Sequence, residues 1–241
     1  MSKFLIKSAF TIGLLAMLLS VPVYGASVNK SIKIAPGAES DGESSVNGSI
    51  TVGEGATVTG NLNTVNGKIR IGDNAKVENA NTVNGSLSIG NGVTAGSLET
   101  VNGSVSLGRD SSASGSIEAV NGRITLEQGS ELTGDISNVN GDITLTGSRA
   151  GGNLSTVNGN VELEDGAVLE GDLVVEKPGT WSWGNKSSRT PEIIIGPGST
   201  VGGVIRLERE VKLYISATAE VGGVEGAMSM DDAVRFEGER P

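Results

Sequence analysis

The chain has 241 residues, no Cys and no His, and a formal net charge of −10 at pH 7. Without Cys and His it has no Ser-His-Asp or Cys-His catalytic arrangement, no disulfide and no lipidated cysteine. The acidic balance argues against nucleic acid as a partner, because phosphate binding needs clustered Lys and Arg.

Residues 1–25 have the features of an export signal peptide. Lys3 and Lys7 form a basic n-region, and Ala9–Leu19 is an apolar stretch too short to span a bilayer. Small residues then suit cleavage before Ala26, and loss of the two lysines takes the net charge from −10 to −12. The alternative is an uncleaved membrane anchor. We expect export to the periplasm or the cell surface, with no transmembrane anchor after cleavage.

A triplet repeat dominates residues 26–175. Val-Asn-Gly occurs seven times at steps of 18 or 19 residues, after a degenerate copy, Val28-Asn29-Lys30. The triplets begin at Val46, Val65, Val83, Val101, Val120, Val139 and Val157. A fixed period of this size indicates a solenoid, in which each repeat buries its apolar edge against its neighbours.

Aliphatic residues recur at fixed positions in each repeat. They stand four and six residues after each Val, as in Ile50-Thr51-Val52, and again three residues before the next Val. A looser column stands at twelve residues after Val and is broken by Gly151. The in-out-in alternation predicts strands with one buried face, and strands one period apart can only pair in parallel, Val above Val. The 37 glycines disfavour helix.

The predicted fold is therefore all-β: a single-stranded parallel β-helix of about ten coils, with 18–19 residues and three strands of about six residues per coil. Right-handed winding is favoured by the usual crossover preference. The six-residue spacing of apolar positions keeps left-handed winding open.

The Asn-Gly pairs are predicted to form corners, because Gly adopts positive φ freely and Asn tolerates it. Stacked corners place the asparagines in one structural ladder joined by side-chain amides. Its members are Asn29, Asn47, Asn66, Asn84, Asn102, Asn121, Asn140 and Asn158. A linear ligand-binding row is the alternative.

The repeat stops at residues 176–190, which we expect to form a loop. The loop contains Trp181 and Trp183, spaced i, i+2, beside Lys186. These three residues are the candidate contacts to a glycan or protein partner, since exposed indoles stack on sugar rings. The alternative is that both indoles fold back over the solenoid.

Two further segments follow the loop. Residues 191–225 predict terminal β-helix coils, because apolar triplets recur there about 20 residues apart. Residues 226–241 predict an acidic tail or an end cap, which a solenoid needs to avoid edge-to-edge stacking.

No constellation of residues indicates catalysis, a cofactor or a metal. Acyltransferases with similar 18-residue coils use a His base, which this chain lacks. A carboxylate cluster at residues 162–172 could bind Ca²⁺, but scattered acids usually form a solvated face. A polysaccharide-modifying enzyme centred on Glu164 and Asp165 is the rival hypothesis.

The pattern Val-Asn-Gly-x-Ile-x-Ile-Gly, with Gly-x-Leu/Ile before the next copy, resembles the bactofilin group of polymer-forming cytoskeletal proteins. It is also similar to secreted adhesin-like β-helical domains of bacteria. The resemblance covers residues 28–175 and implies right-handed β-helices that polymerise end to end without nucleotide. Bactofilins act in the cytoplasm, whereas the export signal favours a periplasmic or surface role. We therefore expect a non-enzymatic exported scaffold or adhesin-like envelope component, possible self-association through its ends, and an envelope glycan or protein as partner.

Overall fold

The computed structural model describes residues 28–178 and 190–241, which form an all-β solenoid of about ten coils. Each coil contributes one strand to each of three parallel sheets, so the predicted fold class is confirmed. The strands have two to five residues rather than about six, because the corners take a larger share of each turn. Ten coils stacked at roughly 4.8 Å give a rod about 50 Å long.

The strands are numbered in chain order. Sheet 1 contains β1 (Ile32–Ile34), β4 (Ile50–Val52), β7 (Ile69–Ile71), β10 (Leu87–Ile89), β13 (Val105–Leu107), β16 (Ile124–Leu126), β19 (Ile143–Thr146), β22 (Val161–Glu164), β25 (Glu192–Ile195), β28 (Lys212–Ser216) and β31 (Val234–Phe236). Sheet 2 contains β2 (Glu39–Ser40), β5 (Thr57–Val58), β8 (Lys76–Val77), β11 (Thr94–Ala95), β14 (Ser112–Ala113), β17 (Glu131–Leu132), β20 (Arg149–Ala150), β23 (Val168–Leu169), β26 (Thr200–Val201) and β29 (Glu220–Val221). Sheet 3 contains β3 (Glu43–Ser45), β6 (Leu62–Thr64), β9 (Ala80–Thr82), β12 (Leu98–Asn102), β15 (Ile117–Asn121), β18 (Ile136–Asn138), β21 (Leu154–Thr156), β24 (Leu173–Val175), β27 (Ile205–Leu207) and β30 (Val224–Gly226). A short 3-10 helix spans Met230–Asp232.

The register follows the sequence period. Ile50 pairs with Ile69, and Leu87 with Val105, so like aliphatics stack from coil to coil. The predicted columns at four and six residues after Val and at three before it are buried along the solenoid. Burying each such Leu or Ile side chain stabilises the fold by about 1.5–3 kcal/mol relative to leaving it exposed.

Gly151 does not break the looser column. Ala150 takes the position instead, pairing with Leu132 on one side and Leu169 on the other, and is fully buried. The chain from Leu145 to Arg149 is one residue shorter than its register-matched equivalent from Leu126 to Glu131, so the column moves back by one position.

The expectation that the valines of the triplets stack in the core is wrong. They lie half-buried or exposed at the corner, and Val65 is 37% exposed. Strand β6 alternates Leu62 in, Asn63 out and Thr64 in, which turns the next residue, Val65, outward. The fold survives this error because the other aliphatic columns form the core.

Candidate functional site

The corner between sheet 3 and sheet 1 contains the asparagine ladder. The side-chain Nδ2 of each asparagine donates to Oδ1 of the asparagine one coil earlier, over distances of 2.7–2.9 Å. The seven bonds join all eight predicted ladder residues, from Asn29 to Asn158. The amides thus bond to one another, which makes the ladder a structural element.

Glycine follows asparagine for a reason other than the predicted one. In the seven triplets neither Asn nor Gly has positive φ; only Asn29, in the degenerate copy, does. Instead, a Cβ on Gly103 would meet the carbonyl oxygen of Gly85 far inside 3.0 Å, and the same holds from Gly67 to Gly159. Most positions with positive φ lie at the corner between sheets 1 and 2, for example Gly55 and Asn74.

A buried polar column lines the inner side of the same corner. Thr64, Thr82 and Thr100 point into the core, and each Oγ1 donates to the carbonyl of the triplet glycine one coil earlier, at 2.9–3.0 Å. Asn138 replaces threonine in one coil and donates to two such carbonyls, of Gly122 and Gly141. The sequence signal was the Ser or Thr that stands before most of the triplets, which sequence analysis did not use.

The ladder ends where the triplets end. Asn158 is the last asparagine, and Nη1 of Arg209 donates to its Oδ1 at 3.2 Å and to the carbonyl of Val157 at 3.3 Å. Arg209 therefore takes the place of the next donor. The long connection from β24 to β25 also joins sheet 3 to sheet 1.

The three candidate contact residues, Trp181, Trp183 and Lys186, lie outside the described residues. The structure describes only the two ends of their loop. At the first end, the backbone N–H of Lys177 donates to Oε2 of Glu208 at 3.1 Å.

Most carboxylates of the 162–172 cluster form ion pairs with arginines. Nη2 of Arg240 contacts Glu162 at 3.2 Å and Glu164 at 2.7 Å. Glu170 pairs with Arg149, and Asp172 pairs with Arg206 at 3.5 Å. In residues 28–178 and 190–241 no group of three or more acidic side chains is arranged to hold a metal ion.

An unusual row of polar residues lies on the outer face of sheet 3. Nδ2 of Asn81 donates to Oδ1 of Asn63 at 3.1 Å, but Oδ1 of Asn81 is buried and has no partner. The next residues in this row are Glu99 and then Glu118, paired in register. Burial, and secondarily the charge of Glu118, raises the pKa of Glu99. Burial, and secondarily Asp135, raises the pKa of Glu118.

These features define the class of the protein as a parallel β-solenoid whose repeated polar residues connect its coils. The chain matches no known family model, no curated protein and no solved structure. No helix in the described part of the chain is long and apolar enough to cross a membrane.

Proposed function

We propose that this protein is a non-enzymatic, exported structural β-solenoid that acts as a scaffold or adhesin-like component of a bacterial envelope. The observation that carries the proposal is the use of the repeated polar groups. The ladder amides and the buried threonines bond from coil to coil, and the acids of the 162–172 cluster pair with arginines. Such contacts use these polar groups, within the described residues, to join one coil to the next, as a structural rod requires.

The resemblance to bactofilins supports a polymer-forming variant of this proposal. The C-terminal end of the rod argues against simple end-to-end stacking. In β31, Arg235 lies opposite the buried Ile215, at a position where every other strand of sheet 1 has an aliphatic residue. A second molecule stacked on this end would bury that charge, which is costly without a partner. We expect polymer growth to require displacement of β31 or to use a different surface.

Cell fractionation combined with imaging tests the proposal. We expect the tagged chain in the periplasm or on the surface, cleaved before Ala26 as measured by intact mass. Negative-stain images of the mature protein should show rods about 50 Å long. A cytoplasmic, uncleaved protein would contradict the envelope role, and particles that stay monomeric at high concentration would remove the polymer-forming variant.

The rival hypothesis is a polysaccharide-modifying enzyme with Glu164 and Asp165 in its site. The proximity of Glu162 and Glu164 supports it, because burial and the neighbouring Glu164 raise the pKa of Glu162 despite the nearby Arg240. Turnover of an acidic glycan by the purified protein, lost in Glu164→Gln, would replace our proposal with this one.

A further inference from the structure

The outer face of sheet 1 differs in charge from the rest of the molecule. Over its first six strands, the outward residues and the residue preceding each strand include four cations and no carboxylate, in a chain of net charge −10. These residues are Ser31, Lys33, Ser49, Thr51, Lys68, Arg70, Ser86, Ser88, Ser104, Ser106, Arg123 and Thr125. The equivalent face of sheet 3 carries Glu99 and Glu118 instead.

A depression of about 280 Å³ lies on this face, lined chiefly by Lys68, Arg70 and four serines. It forms because β10 and β13 present only Ser88 and Ser106 outward, next to the long side chains of the preceding coil. Pockets that enclose a whole small molecule usually have about 300–1,000 Å³. This depression therefore suits one ring, or one charged group, of a longer ligand.

The polar groups that line the depression are hydrogen-bond donors for which the described residues offer no acceptor. Among the residues described, the side chains of Lys68 and Arg70 pair with no carboxylate. The hydroxyl oxygens of Ser86 and Ser104 accept hydrogen bonds from backbone N–H groups at 3.4 and 3.3 Å. These bonds fix the two oxygens, and the O–H groups have no assigned acceptor among the described residues. Two cations beside hydroxyl donors are complementary to an oxyanion on a hydroxyl-rich molecule.

We propose that this depression binds an anionic polysaccharide, with a carboxylate or sulfate between Lys68 and Arg70 and the sugar ring over the serines. The other two cations extend the site along the rod. Lys33 lies two coils before Arg70 and Arg123 lies three coils after it, about 10 and 14 Å away at the strand spacing. A linear polyanion laid along the sheet passes all four cations, of which Arg123 also pairs with Asp142 at 3.6 Å.

Nucleic acid fits the same face less well. None of its outward residues over the first six strands is aromatic, so bases have no ring on which to stack. The inference deepens the proposed adhesive role and rests on it only for the biological setting. Fractionation and imaging test that role, whereas binding in solution tests this site, so the two can fail separately.

Titration calorimetry on the mature protein at low salt tests the inference. The probes are polygalacturonate for the carboxylate, dextran sulfate for the sulfate and neutral dextran as the uncharged chain. We expect at least one charged chain to bind, binding to weaken with added salt, and neutral dextran not to bind. If neither charged chain binds, the inference is overturned.

Two pairs of variants locate the site. Ser88→Glu is expected to weaken binding about tenfold, whereas Ser112→Glu, which adds the same charge on sheet 2, leaves it unchanged. The double variant Lys68→Ala/Arg70→Ala is likewise compared with Lys76→Ala/Arg149→Ala. All variants should remain folded at the temperature of the binding measurement, so that unfolding does not explain a loss of binding. Equal weakening by the sheet 2 variants, or equal affinity of the protein for oligothymidylate, would overturn the assignment.

Discussion

At the scale of single residues, the triplet positions require glycine because of a close contact with the preceding coil, and not because of a positive φ. The carbonyl of one glycine occupies the space that a Cβ of the next would need. Coils cannot separate locally, since the strands on either side of the corner stay hydrogen-bonded. Backbone approach, repeated from coil to coil, therefore selects glycine.

Gly103→Ala tests this explanation. The new methyl would overlap the Gly85 carbonyl, so we expect a loss of about 2–4 kcal/mol in the free energy of unfolding. Urea denaturation of the mature protein measures it. Gly223→Ala is the control, because its nearest neighbour would be a Val204 methyl at 3.7 Å. Equal losses in the two variants would mean that contact is not the cause.

Thr100→Val tests the buried hydroxyl column. Valine keeps the shape of threonine but leaves the Gly85 carbonyl without its 2.9 Å donor. We expect a loss of about 1–2 kcal/mol in unfolding free energy. In Thr144→Val the hydroxyl removed faces outward and has no hydrogen bond to a described residue, so this matched variant should unfold like the parent protein. A parent-like Thr100→Val would show that the buried bond adds little.

At the scale of strands and sheets, the outer row of sheet 3 is an amide ladder interrupted by carboxylates. Oδ1 of Asn81 is buried without a partner, and Glu99, in register with Asn81 one coil later, has no proton to donate when it is ionised. Like charges directly opposite on neighbouring strands also destabilise a sheet. Burial is the main cause that raises the pKa of both glutamates, and a neighbouring carboxylate adds to it, Glu118 in the case of Glu99 and Asp135 in the case of Glu118.

Glu99→Gln should stabilise the protein at pH 7, because the new amide can donate to Asn81 and one of two like charges is removed. We expect a gain of about 0.5–1.5 kcal/mol in thermal or urea unfolding. The folded protein holds the Glu99 proton more tightly than the unfolded chain does, so the parent gains stability as pH falls through the raised pKa. The advantage of the variant should therefore disappear once the pH is below 4.5, the ordinary pKa of a glutamate, because the carboxyl is then protonated in both states.

Glu78→Gln is the control for Glu99→Gln, since it removes the same charge from an exposed side chain. If the two variants behaved alike at every pH, general charge repulsion rather than the local row would be responsible.

Much of the element structure was predictable because aliphatic residues repeat with period two within strands and about 18 between coils. The columns through Ile50 and Leu62 could be assigned in this way. The inward threonines were missed because Thr is common on surfaces, and its burial here depends on a carbonyl in the preceding coil. The loop residues Trp181 and Trp183 have no repeat from which a position could be read, so their role stays a prediction.

At the scale of the whole molecule, the C-terminal end of the rod departs from the repeat. The C-terminal end has an eleventh strand on sheet 1, β31, and Met228 and Met230 pack against the core beside it. Nη2 of Arg235 lies 3.3 Å from the sulfur of Met230. This end thus presents charge to a neighbouring molecule instead of a bare aliphatic coil.

Truncation after Gly226 tests whether the C-terminal end limits association between molecules. It removes β31 and uncovers the edge of β28, so we expect oligomers or filaments that the complete mature chain forms less readily. Light scattering coupled to size exclusion, with negative staining, measures the difference. A truncated chain that stays monomeric and folded at high concentration would show that β31 does not limit association. Arg240→Ala, which removes the two ion pairs of Arg240 with Glu162 and Glu164 but leaves β31 in place, should associate like the parent.

The stacked triplet glycines also determine where a foreign sequence can be inserted into the chain. Along the ladder, each turn between sheet 3 and sheet 1 is in close contact with the turn of the preceding coil. A segment inserted there would force the coils apart. Past Asn158, where Arg209 donates to the last ladder amide, a much longer connection joins β24 to β25, between Val175 and Glu192. We expect this connection to accept a reporter peptide or a binding epitope, because its length already exceeds that of the corners along the ladder.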